Sequence, residues 1–105
     1  MIDYQSYKWQ KKSKHILKLD RGQDRVAALF GKNLEATIVH HIYPAKEYPE
    51  YAWSDWNLIS VSVRTHNKLE NRKTGELSEL GLWLKSITKP EENWRKQNEN
   101  KHTTK

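Results

Sequence analysis

The residues best equipped for chemistry are three of the five histidines. His40 and His41 are adjacent in the apolar run Ala36-Thr37-Ile38-Val39-His40-His41-Ile42, and His66 follows in His66-Asn67-Lys68. Two imidazoles on a short strand and a third on a following helix can hold one divalent metal ion while leaving a neutral ring free to take a proton from water. That is equipment for hydrolysing a phosphodiester. The chain has no cysteine, which excludes disulfides, thiolate zinc sites and a cysteine nucleophile, so any metal must be held by His, Asp, Glu or Asn.

The elements that must position these groups are readable from pattern. Residues 36–42 are rich in β-branched side chains and read as a strand. Neighbouring strand residues point to opposite faces, so His40 and His41 can share a site only where the strand bends or ends. Pro44 and Pro49 break any period over 43–56, giving a loop crowded with Tyr43, Tyr48, Tyr51, Trp53 and Trp56. Those rings are expected to pack in the core, with stacking on bases as the alternative. Residues 58–61 read as a second strand, antiparallel to the first, and 62–73 as a helix capped by Ser60 or Ser62, with Gly75 past its end.

Before the strands, residues 4–19 space their apolar groups at helical intervals, with Trp9, Ile16 and Leu17 on one side and Asp20-Arg21-Gly22 as the stop. Val26, Ala27, Ala28, Leu29 and Phe30 form a short apolar patch that reads as core filling. Leu77, Leu80, Leu84 and Ile87 make one stripe of a last helix, which Gly81 weakens by about 1 kcal/mol relative to Ala and Pro90 stops.

With 105 residues the chain has room for one domain, expected over 1–90, and 91–105 reads as a polar tail with only Trp94 as an anchor. His102 falls in that tail without a role, and His15 reads as a helix-surface residue. A net charge of +6 favours a polyanionic partner through counterion release, nucleic acid before a membrane surface. No apolar run approaches the roughly 18 residues of a membrane span and no leader opens the chain, so a cytoplasmic protein is expected. The leucine stripe can pack on its own domain or support a weak homodimer, so monomer and weak dimer both stay open.

The order of His40-His41 on a strand, a loop, Asn57-Leu58, then a helix with His66-Asn67-Lys68 resembles the HNH nuclease motif in its ββα-metal arrangement, over residues 36–73. More loosely, Trp9-Gln10-Lys11-Lys12 and the run to Gly31 are similar to the segment preceding the motif in small phage-type HNH endonucleases. The resemblance implies an α+β fold, a ββα-metal motif flanked by N- and C-terminal helices. It assigns His40 and His66 to a metal ion, His41 to water activation as general base, and Asn57 to orienting that base. The alternative for Asn57 is a turn residue or a helix-side cap.

Glu70 stands where relatives with a His-x-x-x-His ending keep a third ligand. Either it adds an oxygen ligand, favouring Mg²⁺ or Mn²⁺ with Ni²⁺ or Zn²⁺ as further candidates, or it is a solvated carboxylate paired with Arg72 or Lys73. Arg64, Lys68, Arg72 and Lys73 near the metal, and Lys11 and Lys12 on the N-terminal helix beside Lys8, Lys14 and Lys18, are candidate phosphate contacts, with plain solvation as the bland alternative.

Many relatives staple the motif with two Cys-x-x-Cys pairs around a structural zinc. Here Ser62 and Thr65 stand at the second pair's places and something within 26–30 at the first pair's, so packing around Val26, Leu29, Phe30 and the tryptophans is expected to replace the zinc. The function implied is metal-dependent hydrolysis of DNA, with a phage terminase or packaging protein as partner and a phage-encoded or bacterial origin. The alternatives are a catalytically inactive DNA-binding module of the same fold and a killing nuclease or RNase-like effector.

Overall fold

Each helix starts on an oxygen-bearing cap. Ser6, Asp24, Ser62 and Ser78 accept from the N–H groups of Trp9, Ala27, Thr65 and Gly81, and so begin α1 (Tyr7–Leu19), α2 (Arg25–Leu29), α3 (Val63–Leu69) and α4 (Glu79–Ile87). Between α2 and α3 lie β1 (Ile38–His41) and β2 (Leu58–Val61), antiparallel, with His40 opposite Ile59 and His41 opposite Leu58. The fold is the expected α+β class, a ββα unit flanked by helices on both sides. The computed structural model describes residues 2–96; His102 and the rest of 97–105 lie outside the described residues. No helix among the described residues is long and apolar enough to cross a membrane.

Strand alternation divides the core in two. Ile38, Ile42, Ile59 and Val61 pack with Val26, Leu69 and Leu84 on one face, whereas Val39 and Leu58 pack with Trp9 and Ile16 on the face covered by α1. The outer edge of β2 is closed by side chains rather than by a third strand. The Ser60 N–H donates to Asp20 at 3.1 Å and the Ser62 N–H to Asp24 at 2.9 Å.

Asp24 does more than close an edge. It accepts from the Ser62 hydroxyl at 2.9 Å and from the Ala27 N–H at 2.8 Å, and the Ser62 oxygen accepts from the Thr65 N–H at 3.1 Å. Burial alone would raise its pKa, but these bonds and one from the Thr65 hydroxyl outweigh it and hold the carboxyl below its ordinary value. A carboxylate clasp thus joins the start of α2 to the start of α3, with Asp24 two residues before the stretch expected to stand at the first Cys pair's place.

Several expectations are corrected. Leu29 and Phe30 are 56% and 57% exposed, because a helix of five residues turns one face inward and Val26 and Ala27 occupy it. The helix expected to run to residue 73 ends at Leu69. Glu70 is extended and bridges Leu77, and the Asn71 side chain accepts from the N–H groups of Lys73 and Thr74, a local turn that competes with helix and closes at Gly75 with φ +76°. Arg72 and Lys73 therefore sit in a turn.

At the far end, Trp94 donates to the Trp56 carbonyl at 2.8 Å, and Arg95 clamps the buried Asp20 at 2.6 and 2.9 Å beside Arg25 at 3.1 Å. These two residues, expected in a loose tail, are docked on the domain because a buried carboxylate requires countercharge.

The glycine in α4 has its own reason. Ser78 donates to the Leu69 carbonyl at 2.9 Å, drawing α4 so close to the end of α3 that a Cβ at Gly81 would meet the Leu69 oxygen at 2.2 Å. The leucine stripe accordingly packs inward on its own domain at Leu80 and Leu84, leaving Ile87 exposed.

Candidate functional site

β1 ends on its two histidines, and alternation sends them to opposite faces: His40 toward α3, His41 toward α1. They still border one place, because among the described residues the outer edge of β1 carries no strand and both residues line a single cleft of about 760 Å³. A pair that a central strand would separate is united by a strand terminus at a free edge.

On one side, the His40 ring meets that of His66 edge to face, and His66 Nε2 lies 2.7 Å from Glu70 Oε1. Donor atoms of His40, His66 and Glu70 all fall within 4.8 Å of one another. Burial first, then the charges of His66 and His41, push the His40 pKa down to about 3, so the ring is neutral with a lone pair to give. Its Nε2 is buried without a hydrogen-bond partner, the kind of exception that an ion explains. Two imidazoles, one of them with an orphaned nitrogen, and one carboxylate fit a divalent cation. Glu70 reaches this set as the first extended residue after α3, by folding its side chain back onto His66, rather than from the helical face the sequence suggested.

On the other side, His41 Nε2 lies 3.0 Å from the Ala52 carbonyl. Since a carbonyl only accepts, this bond assigns the proton to Nε2 and leaves Nδ1 as the lone-pair nitrogen. The ring stacks on Trp9, 5.2 Å between centroids at 21°, with Tyr4 edge-on at 6.3 Å. Burial depresses its pKa, partly opposed by the bond to Ala52.

The Asn57 side chain makes no hydrogen bond to His41 among the described residues. It is fully buried, accepts from the Tyr43 N–H at 2.7 Å, and donates to the carbonyls of Tyr43 at 3.0 Å and Tyr51 at 3.2 Å. It thereby ties the exit of β1 to the loop whose next carbonyl, that of Ala52, holds the His41 proton. The loop aromatics Tyr43, Tyr48, Tyr51 and Trp56 pack on each other.

The basic residues are placed differently from expectation. Arg64, Lys68, Arg72, Lys73 and Lys11 are exposed and outside the cleft, and Lys12 is held at 2.5 Å by Asp55, which also meets His15 at 3.1 Å. The lysines that do line the cleft are Lys14 and Lys46. Tyr4 and Trp9 line it too; of these four, Lys14 was expected only as one lysine of the basic face of α1, and Lys46, Tyr4 and Trp9 were not expected at the site. One signal was present: Gln10, Ser13, Lys14 and Leu17 share a helical face by their i, i+3, i+4, i+7 spacing, and that face borders the cleft.

No family model matches the chain, and no curated protein matches it. Among solved structures it is similar to the HNH endonuclease of the deep-sea thermophilic bacteriophage GVE2 with manganese ion, at 26% identity and a TM-score of 0.58 over 61% of this chain and 70% of that one. With its histidine strand, its second strand and its histidine helix in that order, this chain has the ββα-metal fold of the HNH endonuclease family and resembles that family in sequence.

Proposed function

We propose that this protein is a divalent-metal-dependent endonuclease that hydrolyses DNA phosphodiester bonds. The observation that carries the reading is the juxtaposition in one cleft of a donor set, His40, His66 and Glu70, with a neutral His41 whose lone-pair nitrogen is unspent. A divalent cation bound by that set supplies Lewis-acid neutralisation of the phosphate and of the departing 3′ oxygen.

His41 Nδ1 takes a proton from a water molecule. The water oxygen bonds to phosphorus as the bond from phosphorus to the 3′ oxygen breaks, and the departing 3′ oxygen takes a proton from solvent, leaving a 5′ phosphate and a 3′ hydroxyl. Depression of the His41 pKa keeps the base unprotonated at neutral pH, and the Ala52 carbonyl steadies the imidazolium once the proton arrives. Asn57 is a positioning residue, acting through the Tyr51-Ala52 backbone. Lys14 and Lys46 contact phosphates flanking the cut, and the outward-facing Lys11, Arg64, Lys68, Arg72 and Lys73 hold the backbone further along. Two imidazoles beside one carboxylate suit Mn²⁺ or Ni²⁺ as well as Mg²⁺.

A plasmid-nicking assay tests this with Mn²⁺, Mg²⁺ or Ni²⁺ against an EDTA control. Conversion of supercoiled to open-circular DNA only with metal is the expected result. A protein that retards the plasmid without ever cutting it is instead the inactive DNA-binding module.

A further inference from the structure

We propose that Tyr4, which lies outside the ββα motif, is a further catalytic residue whose hydroxyl donates a hydrogen bond to a non-bridging oxygen of the scissile phosphate. The inference rests on the nuclease reading above. Tyr4 precedes α1 and is pinned there by Gln10, whose side-chain amide donates to the Tyr4 carbonyl at 3.2 Å. Its ring stands edge-on to Trp9, 5.1 Å between centroids at 88°, and edge-on to His41 at 6.3 Å. It lines the same cleft as His40, His41, His66 and Glu70.

The ring of Tyr4 neighbours the general base, in the cleft it shares with the ligand set. Burial first, then the charge of Glu70, raises the pKa of its phenol, so it keeps its proton where His41 works. Tyr4 is 50% exposed, so filling the core does not account for it. His41 serves the attacking water and His40, His66 and Glu70 serve the cation, and a phenol beside the base adds a hydrogen-bond donor for the charge that grows on a non-bridging oxygen.

Tyr4→Phe keeps the ring on Trp9 and removes only the hydroxyl. The expected result is a kcat at least about 10-fold below native, the loss of one hydrogen bond to a charged oxygen, with KM for plasmid, Mn²⁺ affinity by calorimetry and melting temperature unchanged. A variant that cuts at native rate, or one changed in KM alone, overturns the role of Tyr4 and leaves the nuclease reading standing. A native protein that cuts with none of the three ions overturns both.

Discussion

The imidazole rings of His40 and His66 meet edge to face across the gap between β1 and α3, with 5.3 Å between centroids at 63°, and the buried Nε2 of His40 has no hydrogen-bond partner among the described residues. Two rings arranged in this way repel when charged and share a cation when neutral. Calorimetric titration with Mn²⁺ should show at least about 10-fold weaker binding in His40→Ala and in His66→Ala, and a smaller loss in Glu70→Gln, as expected for removal of a ligand. Titrations indistinguishable from native would remove all three from the ligand set.

His41→Ala should lower cleavage by about 10² to 10⁴ while leaving affinity for DNA nearly intact, as expected for loss of a general base. Because burial sets the His41 pKa below 6.5, the native rate should rise with pH only below that value and be level through neutrality. Single-turnover rates from pH 5 to 8 check this. A rise centred above pH 7 would contradict the assignment of His41 as a depressed, neutral base.

The same burial makes the metal-free fold sensitive to acid. His40 has a pKa of about 3 folded against 6.5 unfolded, so below pH 6.5 the unfolded chain binds the extra proton and stability falls with pH until about pH 3. From pH 7 to pH 5 this one group should lower unfolding free energy by about 2 kcal/mol. Urea midpoints at the two pH values measure it, and His40→Ala should flatten the dependence. Equal slopes in the two proteins would show that His40 does not carry it.

Gly81→Ala inverts the usual rule. Exchange of a helical glycine for alanine ordinarily stabilises by about 1 kcal/mol, but here the new methyl meets the backbone oxygen of Leu69 at 2.2 Å. The variant should unfold at lower urea than native, by about 1–3 kcal/mol as expected for overpacking. A midpoint at or above native would mean that α4 moves away from α3 without penalty.

What could be read from the chain was local. The β-branched residues around His40 and His41 announced β1, and Ser62 announced the start of α3, because caps and strand propensity act over a few residues. The end of α3 was not visible, since a helical pattern continues to Lys73 and only the Asn71 side chain, bonding to its own turn, breaks it. Of the candidate site, the residues His40, His41, His66 and Glu70 that border one cleft had been singled out through family resemblance. The contacts that prepare them were not: Trp9 under His41, Ala52 on its Nε2 and Arg95 on Asp20 join residues 11 to 75 positions apart, for which sequence carries no local mark. Leu29 and Phe30 misled because hydrophobicity states what a residue prefers, not which face a short helix turns inward.

The clasp of Asp24, Ser62 and Thr65 is built from oxygens and amide protons. A chelating agent has nothing to extract from it, and peroxide has no thiol there to attack. In a zinc-stapled relative, EDTA would stop turnover and slacken the scaffold together, whereas here silence after chelation would report the cleft's cation alone, and re-adding Mn²⁺ should revive cutting at once, without a refolding lag.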